Sequence, residues 1–242
     1  MPHFLIKKEQ INSDTITLFK NDEDFFHLTK ALRIKIGEKV KFIDQNGIVY
    51  LTNVILSNKS ELKAKIVNRY KTKRILNNNI CLIQSILAND AQNLLIANAT
   101  QTGIKEIYPV ISDNTSLSFA DCKNKTEKWK KISYENFKQC ERGDLVRINP
   151  IMTLKEALNE FKKENIIVFA EKNHNIILKD CIKNIDKSQK IAAVTGPEGG
   201  FSGGEFDFFE KENFNLAALG SMIYKAPNAV VAGIYGIVSL LE

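Results

Sequence analysis

Histidine, cysteine, proline and glycine are all scarce in this chain, and no long apolar run interrupts it. Its 242 residues include three His (His3, His27, His174), four Cys (Cys81, Cys122, Cys140, Cys181), five Pro and 12 Gly. The cysteines stand far apart, with no C-x-x-C pair and no His at zinc-ligand spacing from any of them. A zinc tetrahedron draws on closely spaced ligands, so no metal is expected, and the thiols read as reduced. Three histidines also leave little room for imidazole chemistry. Gly and Pro are too few for a fibrous or low-complexity chain. The cleanest apolar stretch, Ala229–Leu241, is well short of the ~20 residues of a membrane span. Residues 1–8 carry no apolar signal segment, so the expectation is a cytoplasmic protein with no membrane partner. What is there is ordinary globular material: 44% hydrophobic and 26% charged residues, enough for one large domain or two small ones.

Charge is unevenly spread. The formal net charge is +6, made up of +7 in residues 1–74 and −1 in the remainder. Lys30-Ala31-Leu32-Arg33-Ile34-Lys35 and Arg69-Tyr70-Lys71-Thr72-Lys73-Arg74 carry much of the excess. A basic module joined to a neutral one fits a polyanion-binding appendage on a catalytic domain, and equally fits a solvated lysine-rich surface.

Hydrophobic periodicity divides the chain at about the same place. Thr15–Leu18, Lys39–Ile43, Ile48–Val54 and Glu61–Asn68 alternate as strands do, and Asp44-Gln45-Asn46-Gly47 is a hairpin turn signal. Phe25, Leu28 and Leu32 suit a short helix over 23–34. These elements predict a small β-barrel with one helix. Beyond a linker near 70–79, Ile80–Leu87 is nearly continuously apolar, as a strand buried on both faces would be. Helices are expected over 91–102, 125–139, 153–163 and 226–241, and strands over 104–111, 166–170, 191–194 and 216–219. Alternating strands and helices predict a parallel sheet with helix-covered faces.

The densest signal is Thr195-Gly196-Pro197-Glu198-Gly199-Gly200-Phe201-Ser202-Gly203-Gly204-Glu205. No Lys-Ser or Lys-Thr follows the glycines, so it is not a P-loop, and it is not G-x-G-x-x-G. Gly200–Gly204 matches G-x-S-x-G, but a hydrolase elbow of that kind has its histidine after the serine, and the last histidine here is His174. Ser202 with Glu205 instead reads as a capping box opening a helix at Phe206. That leaves Gly196–Gly200 as a loop after a buried strand, either a tight structural turn or a backbone that approaches a ligand closely.

This segment, with Leu219-Gly220 and Ile223 after it, resembles the C-terminal signature of RsmE-type 16S rRNA (uracil-N3)-methyltransferases. His27-Leu28-Thr29-Lys30-Ala31-Leu32-Arg33 with Gly37-Glu38 resembles that family's N-terminal motif. Gly103-Ile104 before Ile107-Tyr108-Pro109, and Gln139-Cys140-Glu141-Arg142, fall in the family's order, so the resemblance covers nearly the whole chain. It implies a PUA-like RNA-binding β-barrel over 1–72. It also implies an α/β SPOUT methyltransferase domain with a trefoil knot over 73–242, a homodimer, and S-adenosylmethionine as cofactor. Carried over by position, the cofactor-binding residues are Ala170, Glu171, Thr195, Gly196, Pro197, Glu198, Gly199, Gly200, Leu219, Gly220, Ser221 and Ile223.

The activity the resemblance implies is methylation of a uridine N3 in 16S rRNA of the small ribosomal subunit. The alternatives are a SPOUT-type protein that grips rRNA without turnover, or the same chemistry on another RNA. Lys225 is the candidate for neutralising the uracil anion and Arg142 a second catalytic candidate, while Lys30, Arg33 and Lys35 would hold rRNA phosphates. The chain departs from the family pattern at Lys225-Ala226-Pro227-Asn228-Ala229, where Arg-x-Glu-Thr-Ala is usual. It departs at Asn98–Gly103 as well, and at Asp113-Asn114, where a Glu-Arg pair is usual.

Overall fold

The computed structural model describes residues 3–122, 124–170 and 177–241. They form two compact units, Met1–Ile75 with Phe137–Asp144, and Leu76–Asn136 with Leu145–Glu242.

The first unit is built on a six-stranded sheet. Its strands are β1 (His3–Leu5), β2 (Ile11–Asn12), β3 (Thr15–Phe19), β4 (Lys39–Ile43), β5 (Ile48–Ser57) and β6 (Glu61–Lys71), in the order β1-β4-β5-β6-β3-β2. Alternation decides which face is buried. Ile16 and Leu18, Val40 and Phe42, and Leu62 and Ala64 all enter one apolar core with Phe4, Phe25 and Leu28. The hairpin turn is held by Asp44, whose Oδ1 accepts from the backbone N–H groups of Asn46 and Ile48, both at 2.9 Å. The helix expected over 23–34 is cut down to a π-helical turn, His27–Ala31. Thr29 explains part of this, because its Oγ1 donates to the carbonyl of Phe25 at 2.8 Å and competes with the regular ladder. Leu32, expected on the buried face, is exposed.

The segment Phe137–Asp144 belongs to this unit although it is remote in sequence. The His3 ring packs tilted against Phe137 with centroids 4.7 Å apart, Lys138 Nζ reaches Asp24 Oδ1 at 3.0 Å, and Lys41 Nζ reaches Glu141 Oε1 at 2.8 Å. Lys138 and Asp24 are both buried, so each charge relies on the other in place of water.

The second unit holds a seven-stranded, wholly parallel sheet. Its strands are β7 (Ile80–Ser85), β8 (Glu106–Ile111), β9 (Arg147–Ile148), β10 (Met152–Thr153), β11 (Ile166–Phe169), β12 (Ile191–Thr195) and β13 (Asn215–Ala217). The order is β10-β8-β7-β12-β11-β13, with β9 also pairing β8. Its helices among the described residues are α1 (Asn89–Gln101), α2 (Phe119–Cys122), α3 (Thr126–Cys140, of which Phe137–Cys140 falls in the first unit), α4 (Leu154–Leu158), α5 (Leu178–Cys181), α6 (Gly203–Lys211) and α7 (Ala226–Leu241). The apolar run of β7 serves two cores. Ile80 and Leu82 face one with Leu95, Trp129 and Ile234, while Cys81 and Ile83 face the other with Phe161, Phe201 and Phe209. Burial pushes the Cys81 thiol up to about 12, so it stays protonated and behaves as a small apolar side chain.

The helix expected over 153–163 ends at Leu158. Downstream, buried Asn165 gives its amide to the carbonyls of Asp186 and Lys190 at 2.9 and 3.0 Å, which turns the chain into β11. In α7 the buried residues Val230, Ile234, Ile237 and Leu241 repeat every three or four positions and form one apolar stripe against the sheet.

Candidate functional site

Three strands that are neighbours in the second sheet, β12, β11 and β13, end at one edge, where a cleft is lined by the end of β11 and by residues that follow β12 and β13. The carboxyl ends of parallel strands are where such sheets bind ligands, since the backbone groups of the loops are freed there. Phe169 and Ala170 come from the end of β11, and Thr195, Gly196 and Pro197 from the end of β12. Leu219, Gly220, Met222, Ile223 and Tyr224 follow β13, and Ala226 and Ala229 belong to the first turn of α7. The cleft holds about 530 Å³ of empty space, counting solvent at its open mouth. Gly220 has φ +126°, a conformation open to glycine alone at low cost, and it shapes the loop after β13.

Among the described residues the lining contains no charged side chain. What these residues offer a ligand is backbone N–H and C=O groups, apolar walls that take a flat ring, and the Tyr224 and Thr195 hydroxyls. Thr195 Oγ1 is buried with no hydrogen-bond partner among the described residues. A buried hydroxyl left unpaired is costly, and a polar ligand group would satisfy it. Apolar walls, exposed backbone groups and an unpaired hydroxyl together fit a nucleoside-like cofactor.

Of the residues expected from sequence, the cleft brings together Ala170, Thr195, Gly196, Pro197, Leu219, Gly220 and Ile223. Ser221 stands exposed between two lining residues. Glu198, Gly199 and Gly200 continue the β12 loop away from the lining. There Glu198 Oε1 accepts from the N–H of Ala88 at 3.0 Å, and the Gly200 carbonyl accepts from Asn114 Nδ2 at 3.0 Å. Glu171 lies outside the described residues. Lys225 is exposed between the lining residues Tyr224 and Ala226, and its carbonyl accepts from Asn228 at 2.8 Å and Ala229 at 3.0 Å, opening α7.

Arg142 belongs to the first unit, where it is buried and donates to Asp144 Oδ1 through Nε at 3.2 Å and Nη2 at 2.9 Å. Lys30, Arg33 and Lys35 are exposed on the π-helical turn of the first unit and the loop after it. Sequence reasoning missed Phe169, Met222, Tyr224, Ala226 and Ala229. The last two had a signal, being small residues three apart at a helix start and so on one face.

The capping box is present as expected. Ser202 Oγ accepts from the N–H of Glu205 at 3.1 Å, and Glu205 Oε2 accepts from the N–H of Ser202 at 2.8 Å. Ser202 Oγ in turn donates to Asp113 Oδ2, so its bonds are those of a helix cap rather than of a nucleophile paired to a base.

Known proteins share both units. A family model described as an RNA methyltransferase domain matches residues 74–237, and one described as an RNA methyltransferase PUA domain matches residues 21–67. The ribosomal RNA small subunit methyltransferase E of Aquifex aeolicus is 30% identical over 213 residues, 88% of either chain. The protein of the same name from Mesomycoplasma hyopneumoniae is 29% identical over 222 residues, 88% of this chain and 93% of that one. Among solved structures, a ribosomal RNA small subunit methyltransferase E from Neisseria gonorrhoeae bound to S-adenosyl methionine matches with a TM-score of 0.84. It is 24% identical over 99% of this chain and 98% of that one. At that identity the likeness shows the fold.

Proposed function

The chain belongs to the RNA methyltransferase family, and from that premise we propose that it uses S-adenosylmethionine to methylate N3 of a uridine in 16S rRNA of the small ribosomal subunit. The observation that carries the reading is the cleft at the ends of β11, β12 and β13, with its glycine-bearing loops and the Thr195 hydroxyl unpaired among the described residues. The relatives' names and the sulfonium-bearing ligand of the Neisseria structure support it.

Bound S-adenosylmethionine supplies an electrophilic methyl group. The loops Thr195–Pro197 and Leu219–Tyr224 would hold it, and Phe169 and the first turn of α7 would keep water from one side. Uracil N3 carries a proton at neutral pH, and as it is lost negative charge spreads to the ring oxygens. Lys225, at the rim of the cleft, is the group we assign to stabilise that charge. N3 lies on the pairing edge, so the base must be unpaired or flipped when it reacts. Arg142, engaged by Asp144, is given no chemical step.

Lys30, Arg33 and Lys35 would hold RNA phosphates. The neighbouring Phe26 is exposed, with Lys30 Nζ 4.6 Å from its ring centre, a pairing of aromatic face and cation that suits an unpaired base. A homodimer is supported by apolar side chains left exposed on the second unit: Met222 (71%), Ile223 (72%) and Tyr235 (70%). A ribosomal substrate supports a cytoplasmic location.

The test is transfer of radiolabelled methyl from S-adenosylmethionine to small subunits of a strain lacking the gene, with the product mapped by reverse-transcription stop. A stop at one 16S uridine is expected. Lys225→Ala should then lower turnover about tenfold or more while changing cofactor affinity less. Cofactor binding without transfer to any RNA would overturn the enzymatic reading in favour of an rRNA-binding protein.

A further inference from the structure

The pair Asp113-Asn114 is one of the places where this chain departs from the family pattern, and the cleft itself does not use it. Both residues are exposed in the turn that follows β8. β8 and β12 are not neighbours, because β7 lies between them in the sheet. The two loops nevertheless meet across the end of β7. Asn114 Nδ2 donates to the carbonyl of Gly200 at 3.0 Å. Asp113 closes a ring with the capping box, its Oδ2 accepting from Ser202 Oγ at 2.5 Å and its N–H donating to Glu205 Oε1 at 3.0 Å. Asn114 also closes over Gly199, where an added Cβ would stand 3.4 Å from the Asn114 Cβ. On the other side, Glu198 ties the same loop to the N–H of Ala88.

We propose that Asp113 and Asn114 are positioning residues, a latch that fixes Gly200–Ser202 and thereby presets the Thr195–Pro197 wall of the cofactor cleft. The inference rests on the cofactor reading of that cleft. A glycine-rich loop has many open backbone states, and fixing one of them before binding removes an entropic cost from the complex. The hydrogen bonds are on the surface, so their loss should leave the two cores of the second unit intact. A role confined to stability would show in the melting temperature instead.

The test compares the wild type, the double variant Asp113→Ala/Asn114→Ala and the single variant Asp113→Asn. Readouts are S-adenosylmethionine binding by calorimetry, thermal unfolding, and hydrogen exchange of a peptide spanning residues 196–206. The double variant should bind about tenfold more weakly, equivalent to about 1.4 kcal/mol and the size of one or two net hydrogen bonds. Its melting temperature should hardly move, and its 196–206 amides should exchange faster. Asp113→Asn keeps an acceptor for Ser202 and should bind as the wild type does. Unchanged affinity and unchanged loop exchange in the double variant would overturn the latch. If the wild type itself binds no S-adenosylmethionine, the cofactor reading fails. The loop exchange then decides the latch alone, faster exchange supporting it and unchanged exchange overturning it.

Discussion

Gly233 of α7 presses on the back of the cleft, and replacing it by alanine should damage binding more than folding. A Cβ at that position would stand 2.2 Å from Phe169 Cζ, 2.3 Å from Cε2 and 2.8 Å from Cε1. Carbon atoms settle at about 3.5–4.0 Å, so the ring must retreat by at least about 1 Å. Phe169 ends β11, which is flanked by β12 and β13, and the open side of its ring is the cleft it lines. Overpacking of this kind costs about 1–3 kcal/mol. Alanine returns about 0.8–1.0 kcal/mol of helix propensity relative to glycine. The net loss of stability is therefore about 0–2 kcal/mol, while the ring moves into the space a cofactor needs. Calorimetry with S-adenosylmethionine should show affinity down at least about tenfold, some 1.4 kcal/mol. Shortening the ring in Gly233→Ala/Phe169→Leu should recover much of it. A Gly233→Ala protein with a raised melting temperature and unaltered affinity would refute the reasoning, because Phe169 would then not be braced between α7 and the cleft.

Two further perturbations separate stability from function. Burial beside Phe137 lowers the His3 imidazole to about 4, with the Glu141 carboxylate opposing the shift and Lys41 and Arg74 adding to it. A group whose folded value lies below its unfolded one, about 6.5 for histidine, binds protons more readily when unfolded. Its contribution is complete above pH 6.5 and is lost as pH falls toward about 4. Urea unfolding at pH 7, 5.5 and 4 should show that loss, and His3→Phe should flatten it; an equal slope in the variant would mean other groups set the acid limit. At the amino ends of the parallel strands, buried Glu106 accepts from Lys190 at 2.6 Å, Tyr108 at 3.0 Å and Asn149 at 3.1 Å. Burial pushes its carboxyl up, but these hydrogen bonds outweigh that and hold it below its ordinary value. Glu106→Ala should cost about 1–3 kcal/mol by leaving those donors unpaired, read by chemical unfolding. Cofactor affinity should not change, because the cleft is at the opposite edge of the sheet; a parallel loss of affinity would contradict that separation.

Local chemistry determined a good part of this protein from its sequence. The period-two strands of the first unit, the apolar β7 run, the hairpin turn at Asp44–Gly47 and the Ser202–Glu205 cap each depend on residues within a few positions of one another. All are found in the structure. Thr195–Pro197 likewise lies where a glycine-bearing loop after a buried strand is expected, at the carboxyl edge of a parallel sheet, whereas Leu219–Ile223 came only from the family resemblance.

Contacts between distant segments were decided only by tertiary structure. Phe137–Gln139 reads as the end of the helix over 125–139, yet the Lys138–Asp24 and Lys41–Glu141 pairs and the contact of His3 with Phe137 bind Phe137–Asp144 to the first unit. No periodicity encodes a partner a hundred or more residues away. The π-helical turn at His27–Ala31 and the early end of α4 depend on side chains that bond to backbone in place of the helix ladder. Phe169, Ala226 and Ala229 join the cleft only once α7 packs behind Phe169. Asp113 and Asn114 read in the sequence as lost charge. In the fold they are the turn that reaches over β7 to grip the glycine-rich loop, because the order β8-β7-β12 brings those two loops to one edge.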